Sequence, residues 1–234
     1  VALEPSLQTR STVYVRVQTP TTPLHVRVLS APESAEFDSL LSLVAGALVG
    51  IGLLMTMLST LVYVNTRDSL WGIDALHSFI GVTVLSLQLG LASRLIFPDS
   101  AGLANQLILY ANVTYVFMTM VLHRAIFKLF VMPRWLYWPN TVALLAFPVL
   151  LGMIVLGIGD KALALNNLLS LSTALWGFLI AYKASHEDRI ALRLFRIAYM
   201  SMALYFIWWS IPLVLKLQTG NITTLYPGLP ASLF

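Results

Sequence analysis

The pattern of apolar and polar positions changes character once along the chain, near residue 40. Before that point Val13, Val15 and Val17 alternate with Tyr14 and Arg16, and Leu24, Val26 and Val28 alternate with His25 and Arg27. The two stretches flank the segment TPTTP. Period-two alternation on both sides of a Pro/Thr turn predicts a β-hairpin. A lone hairpin is marginal in water, so sheet partners are expected upstream. Beyond residue 40 the alternation gives way to long apolar runs. Residues 40–64 are 25 positions without a formal charge. Further runs lie at 70–97, 103–130, 141–159, 162–181 and 197–215, separated by short polar segments. A helix needs about 20 apolar residues to cross a bilayer, and a membrane strand would show alternation instead. The predicted fold is an all-α membrane protein, a polytopic transmembrane helix bundle of six spans preceded by a short β-hairpin. The expected division is 1–38 for the hairpin and its link, 39–217 for the bundle, and 218–234 for an external loop leading to a seventh helix.

Composition agrees with lipid as the main solvent. Charged residues are 10% of the chain, against roughly 25% in a soluble domain. Mean hydropathy is +0.82, more apolar surface than a soluble fold of this length can hide. The chain has no cysteine, which removes disulfides, thiolate zinc sites and iron–sulfur clusters. No cofactor is expected. The net charge of +4 raises the question of nucleic acid, and its placement answers it.

Four cations and two anions gather in YKASHEDRIALRLFR: Lys183, Arg189, Arg193 and Arg196 with Glu187 and Asp188. With an external N-terminus, this loop and those around 65–69 and 123–140 share one side of the membrane. They hold Arg67, Arg124, Lys128, Arg134, Lys183, Arg189, Arg193 and Arg196, eight cations, against Arg94, Lys161 and Lys216, three, at the opposite ends. Cytoplasmic loops carry the excess of Lys and Arg, which sets that side as the inner one. RWLYW at 134–138 fits the same surface, because Trp and Tyr gather at membrane interfaces. The net charge is thus a topology signal, and no nucleic-acid partner is expected.

Three groups of residues are candidates for function. Asp74 and His77 are three apart and share a helix face near the inner end of the second run. Ionisable groups inside a span are costly and mark function or an interior polar contact. As a pair they fit a contact that fixes helix packing better than a metal or catalytic site. The amides and aromatics Asn105, Tyr110, Asn112, Asn166 and Asn167, with Arg94 and Trp208, lie toward the outer side and could line a ligand pocket or hydrogen-bond between helices. Arg189, Arg193 and Arg196 recur at spacings of four and three. They would share one face if the sixth helix extends inward, meeting either an acidic cytoplasmic partner or anionic headgroups. Ser42, Gly46 and Gly50 form a small-residue row that permits close helix approach, within the bundle or at a homodimer seam. Pro148 and Pro212 fall within spans and should kink them.

The whole pattern resembles the bacterial seven-transmembrane receptors with diverse intracellular signalling modules. VYVRVQTPTTPLHVRVLSAPESAEF is similar to the closing strands of their periplasmic sensor domain, and GALVGIGLLMTMLSTLVYVNTRDSLW to their first helix and turn. HRAIFKLFVMPRW and HEDRIALRLFRIAYM are similar to their second and third inner loops. The resemblance implies a bacterial inner-membrane protein with a periplasmic N-terminal segment. It further implies a linked periplasmic sensor and a linked cytoplasmic effector, such as a histidine kinase of a two-component system or a cyclic di-GMP cyclase. The departure is the seventh helix and effector, expected beyond Phe234. On this reading the chain is a receptor core without catalytic residues of its own. The alternative is a small-molecule transporter or channel subunit, which would be expected to show internal repeats and broken helices. No hydrolase, phosphate-loop or nucleotide motif occurs in the chain.

The cation asymmetry predicts that a reporter fused after Ser185 is cytoplasmic and one after Thr219 is external. A periplasm-only reporter that is active at Ser185 would invert the topology.

Overall fold

The computed structural model describes residues 31–89 and 101–214, apart from the side chains at 31–38, 40–41, 101, 105 and 206–214. The predicted hairpin, Arg94 and the segment 218–234 lie outside the described residues. Those described are nearly all helical: α1 (Ala31–Thr66), α2 (Ser69–Gln88), α3 (Ala101–Phe127), α4 (Trp138–Val155), α5 (Gly159–Lys183) and α6 (Arg189–Val214). A 3₁₀ turn at Arg134–Tyr137 leads into α4. The helices pack in chain order, each on the next, and α3 also touches α5.

Five segments are long and apolar enough to cross a membrane: Ser42–Thr66, Ser69–Gln88, Gly102–Phe127, Arg134–Val155 and Gly159–Lys183. The chain is a multi-pass membrane protein. The sixth expected run lies in α6, whose described side chains end at Tyr205. Leu43 and Leu145 are each 70% exposed, as side chains facing hydrocarbon are. In lipid every backbone polar group must be satisfied within the segment, so helices are the solution. The hydroxyls follow the same rule. Thr56 donates to Gly52 O (2.9 Å), Thr60 to Thr56 O (2.7 Å) and Thr83 to Phe79 O (2.9 Å), each closing onto its own preceding turn.

Two boundaries differ from the sequence reading. α1 starts at Ala31, within the stretch assigned to the hairpin's link. Its 36 residues would reach about 54 Å, longer than the ~30 Å hydrocarbon core, so only Ser42–Thr66 serves as span. α6 starts at Arg189, so the sixth helix does reach past its apolar run and includes Arg189, Arg193 and Arg196.

The turns are built from local chemistry. Arg67 takes a left-handed backbone (φ 58°), and its N–H closes α1 on Tyr63 O at 2.8 Å. Asp68 then caps α2, its Oδ1 accepting from Leu70 N at 2.9 Å. At the end of α4, Gly157 (φ 77°) donates to Ile154 O and Ile158 N to Met153 O, both at 3.0 Å. This double bond pattern needs a residue at positive φ, which glycine supplies at least cost. α4 continues through Pro148.

Two buried clusters hold the bundle. One joins Leu109 and Val113 of α3, Leu150 and Ile154 of α4 and Ala162 of α5. The other, at the end of α3 and α5 and the start of α6, joins Phe127, Phe130, Leu136, Ile180, Phe195 and Tyr199. α1 stands apart: 11% of its span is buried, against 28% for the spans of α3 and α5.

Small residues act where helices meet. A Cβ on Gly52 would lie 2.5 Å from Val82 Cγ2, so this glycine is what lets α1 approach α2. The expected row of Ser42, Gly46 and Gly50 is exposed, and Gly46 and Gly50 have nothing within 4 Å of such a Cβ. That row therefore does not pack inside the described bundle. It lies on a different face of α1 from Gly52, since neighbouring positions on a helix diverge by about 100°. Gly52→Ala should lower the stability of the reconstituted protein by about 1–3 kcal/mol, while Gly46→Ala should leave it unchanged. Thermal denaturation of both variants in detergent reads the contrast.

Candidate functional site

The polar side chains inside the bundle converge on α3. Tyr115, Thr119 and His123 are four apart, which puts them on one helix face. α2 meets that face with His77, which is buried; its Nε2 lies 3.0 Å from Thr119 Oγ1 and its ring stacks on Tyr115 at 4.9 Å. The Thr119 hydroxyl donates to Tyr115 O at 2.9 Å. A hydroxyl has one hydrogen, so His77 Nε2–H is the donor to Thr119. One turn of α2 away, Asp74 Oδ2 accepts from the Ser59 hydroxyl of α1. One turn further along α3, the buried His123 packs on Tyr199 of α6 at 5.3 Å and on Phe127 at 5.8 Å. A row of hydrogen bonds and ring contacts thus runs from α1 through α2 and α3 to α6. Asp74 and His77, both on α2, reach different neighbours, Ser59 of α1 and Thr119 of α3. Among the described residues, no three His, Asp or Glu side chains converge as a metal site would need.

The residues proposed to line an outer pocket divide differently. Arg94 and the side chains of Asn105 and Trp208 lie outside the described residues. Asn112 turns toward α2: its Oδ1 accepts from Gln88 Nε2 at 3.1 Å, and its own Nδ2 donates to Ile108 O at 2.8 Å. Asn166 points the other way, into the interface of α3, α4 and α5, where it is 2% exposed. Asn167 is exposed, because consecutive helical positions face different sides. Tyr110 is half-buried against the α3–α4–α5 cluster. Asn112 and Asn166 therefore serve different interfaces and do not share a pocket.

Asn166 borders a small cavity with Val113, Phe117, Met120, Phe147 and Leu169. Its volume is about 10 Å³, at the lower limit for a single water. Asn166 Oδ1 has no hydrogen-bond partner among the described residues. The site has room for no organic ligand in this conformation.

At the end where α3 meets α4 and α5 meets α6, the two connecting loops form one unit. Val131 N donates to Ser185 O and Ser185 N to Val131 O, both at 3.0 Å. Phe130 lies under this pair, stacked on Phe195 at 4.0 Å and 5.1 Å from His186. Trp176 Nε1 donates to Leu136 O at 3.0 Å, and Tyr137 OH to Phe127 O at 3.2 Å. Asn140 ties α4 to α3 through Met120 O at 3.1 Å. Arg189, Arg193 and Arg196, expected to share one face, are all exposed. Arg196 turns to the end of α5, donating to Ala181 O at 3.1 Å and Ala184 O at 3.3 Å. Those carbonyls have no intrahelical partner, so a guanidinium satisfies them and meets the negative end of the helix dipole.

Sequence reasoning missed Ser59, Gln88, Thr119, His123 and Asn140. The spacing of Tyr115, Thr119 and His123 was a usable signal. Ser59, Gln88 and Asn140 each lie alone among apolar residues and become partners only through the helix neighbour opposite.

Comparison with known proteins finds no matching family model, no matching curated protein and no matching solved structure. The chemistry available to the site is hydrogen bonding and ring stacking between helices. Interhelical hydrogen bonds in membranes average ~0.6 kcal/mol and reach ~1.7. A double-mutant cycle of His77→Leu and Thr119→Val should give a coupling in that range. Additive effects of the two changes would show that the contact contributes nothing to helix association.

Proposed function

We propose that this chain is the membrane core of a receptor, relaying an envelope-side signal to a cytoplasmic effector of the histidine-kinase or diguanylate-cyclase class. The sequence resemblance to the bacterial seven-transmembrane receptors supports this reading, as does the cation asymmetry that sets the 183–196 loop inside. On the same reading the chain belongs to the bacterial inner membrane and its N-terminal segment faces the periplasm.

The observation that carries the proposal is the contact path from α1 to the inner loops. Ser59 links α1 to Asp74 of α2, His77 links α2 to Thr119 of α3, and the inner end of α3 shares an aromatic cluster with α5 and α6. Packed helices move as rigid elements by small shifts. A displacement of α1 would pass along hydrogen bonds to α3 and then tilt the joined loops as one body. α1 suits the input role, since it packs chiefly on α2 and has the least buried span of those described.

The experiment expresses the complete gene in a bacterial membrane and reads effector phosphorylation and cyclic di-GMP. Asp74→Asn and Thr119→Val each weaken one link of the path. Each should shift basal output several-fold while leaving membrane levels unchanged, since one hydrogen bond of about 1 kcal/mol corresponds to roughly a fivefold change in a two-state equilibrium. Output unmoved by both variants would remove the path. Solute uptake into proteoliposomes containing the chain alone would replace the receptor reading with transport.

A further inference from the structure

The inner surface holds more positive charge than its carboxylates neutralise, and the structure shows why. Asp68 and Asp188 are committed to helix N-termini. Asp188 Oδ1 accepts from Ile190 N at 2.7 Å and Ala191 N at 3.3 Å, as Asp68 does from Leu70 N. Arg196 is committed to the end of α5. In the two loops joined at Val131 and Ser185, Lys128, Arg134, Lys183, Arg189 and Arg193 are exposed and none is in an ion pair among the described residues, against one carboxylate there outside a cap, Glu187.

The Val131–Ser185 pairing brings these cations together from two loops. In its antiparallel register Phe130 falls opposite His186, as their ring contact confirms. Lys128 and Arg134 each lie three residues from Val131, and Lys183 and Arg189 lie two and four residues from Ser185, so the pairing gathers cations of both loops at one end of the bundle. Their depth is defined as well. One spanning segment begins at Arg134 and another ends at Lys183, so these cations stand at the boundary of the apolar zone. Trp135, Trp138 and Tyr182 are 53%, 68% and 70% exposed at the same level, as in an interfacial aromatic belt. A soluble acidic partner would meet loop tips above the surface. Cations at span ends, beside exposed aromatic rings, are instead at headgroup height.

We propose that the joined loops form a binding surface for anionic phospholipid, with Lys128, Arg134, Lys183, Arg189 and Arg193 holding phosphodiester headgroups. The acyl chains of the bound lipid lie along the exposed apolar sides of α4 and α5. Headgroups seated between the two loops neutralise cations from both and so reinforce their pairing. This surface is independent of the receptor reading, because it requires only the membrane and the loop geometry.

The test places the full chain in nanodiscs of phosphatidylcholine with and without phosphatidylglycerol. Native mass spectrometry counts the lipid retained on release. The wild-type protein should retain phosphatidylglycerol selectively and denature at a higher temperature in its presence. Each Lys or Arg near a charged surface contributes about fivefold to binding. The triple variant Lys128→Gln, Arg189→Gln, Arg193→Gln should therefore lose affinity on the order of 100-fold. The charge-conserving Arg189→Lys, Arg193→Lys protein should keep most of it. A second variant, Arg134→Gln with Lys183→Gln, should lose affinity by a smaller factor and serves if the triple variant fails to insert. Inorganic phosphate at matched ionic strength should not displace the lipid. Equal retention by wild type and the inserted Gln variants would overturn the proposal. So would displacement by inorganic phosphate, or capture of polyglutamate with no selectivity for phosphatidylglycerol.

Discussion

Two backbone hydrogen bonds, those between Val131 and Ser185, organise one end of this helix bundle. A loop between transmembrane helices must pair its polar backbone with water, side chains or another loop. Here two loops satisfy part of that need from each other. Once they are joined, Phe130 is pressed onto Phe195, and α3, α5 and α6 share one aromatic cluster. The surrounding contacts then fall into place: Trp176 on the Leu136 carbonyl, Tyr137 on that of Phe127, and Arg196 on the last turn of α5.

Across the bundle itself the hydrophobic effect distinguishes little, because lipid is as apolar as the side chains it would replace. Close packing and a few hydrogen bonds decide which faces meet. Gly52 lets α1 come near Val82, and Gly177 leaves room for the Tyr199 ring, which a Cβ would approach to 2.7 Å. Ser59–Asp74, His77–Thr119 and Gln88–Asn112 then fix register along the interfaces of α1 with α2 and α2 with α3. The Asn140 amide does the same between α4 and α3 through Met120 O, while the Asn140 and Asn166 amide oxygens have no partner among the described residues.

Charge at this end of the bundle serves more than one purpose. Asp68 and Asp188 start helices, Arg196 ends one, and Arg189 and Arg193 are left exposed. In sequence all of these contribute alike to the cation excess that sets orientation. Their separate uses follow from position: a carboxylate one residue before a helix has free N–H groups to accept from, and an arginine two turns into α6 can reach the carbonyls of its antiparallel neighbour.

The sequence by itself determined that the chain belongs in a membrane, because uncharged runs as long as residues 40–64 have no stable place in water. It also marked Asp74 and His77 as polar groups needing partners. Helix ends were less legible: α1 begins at Ala31 and α6 at Arg189, in polar stretches where apolar runs say nothing about backbone conformation. Only the tertiary structure decided the partners. Asn112 and Asn166 read alike as amides in apolar runs, yet one meets Gln88 and the other borders a cavity, since the orientation of each helix depends on the neighbours it packs against. The joining of two loops 54 residues apart at Val131 and Ser185 is set by how α3, α5 and α6 come together, and no local pattern in either loop encodes it.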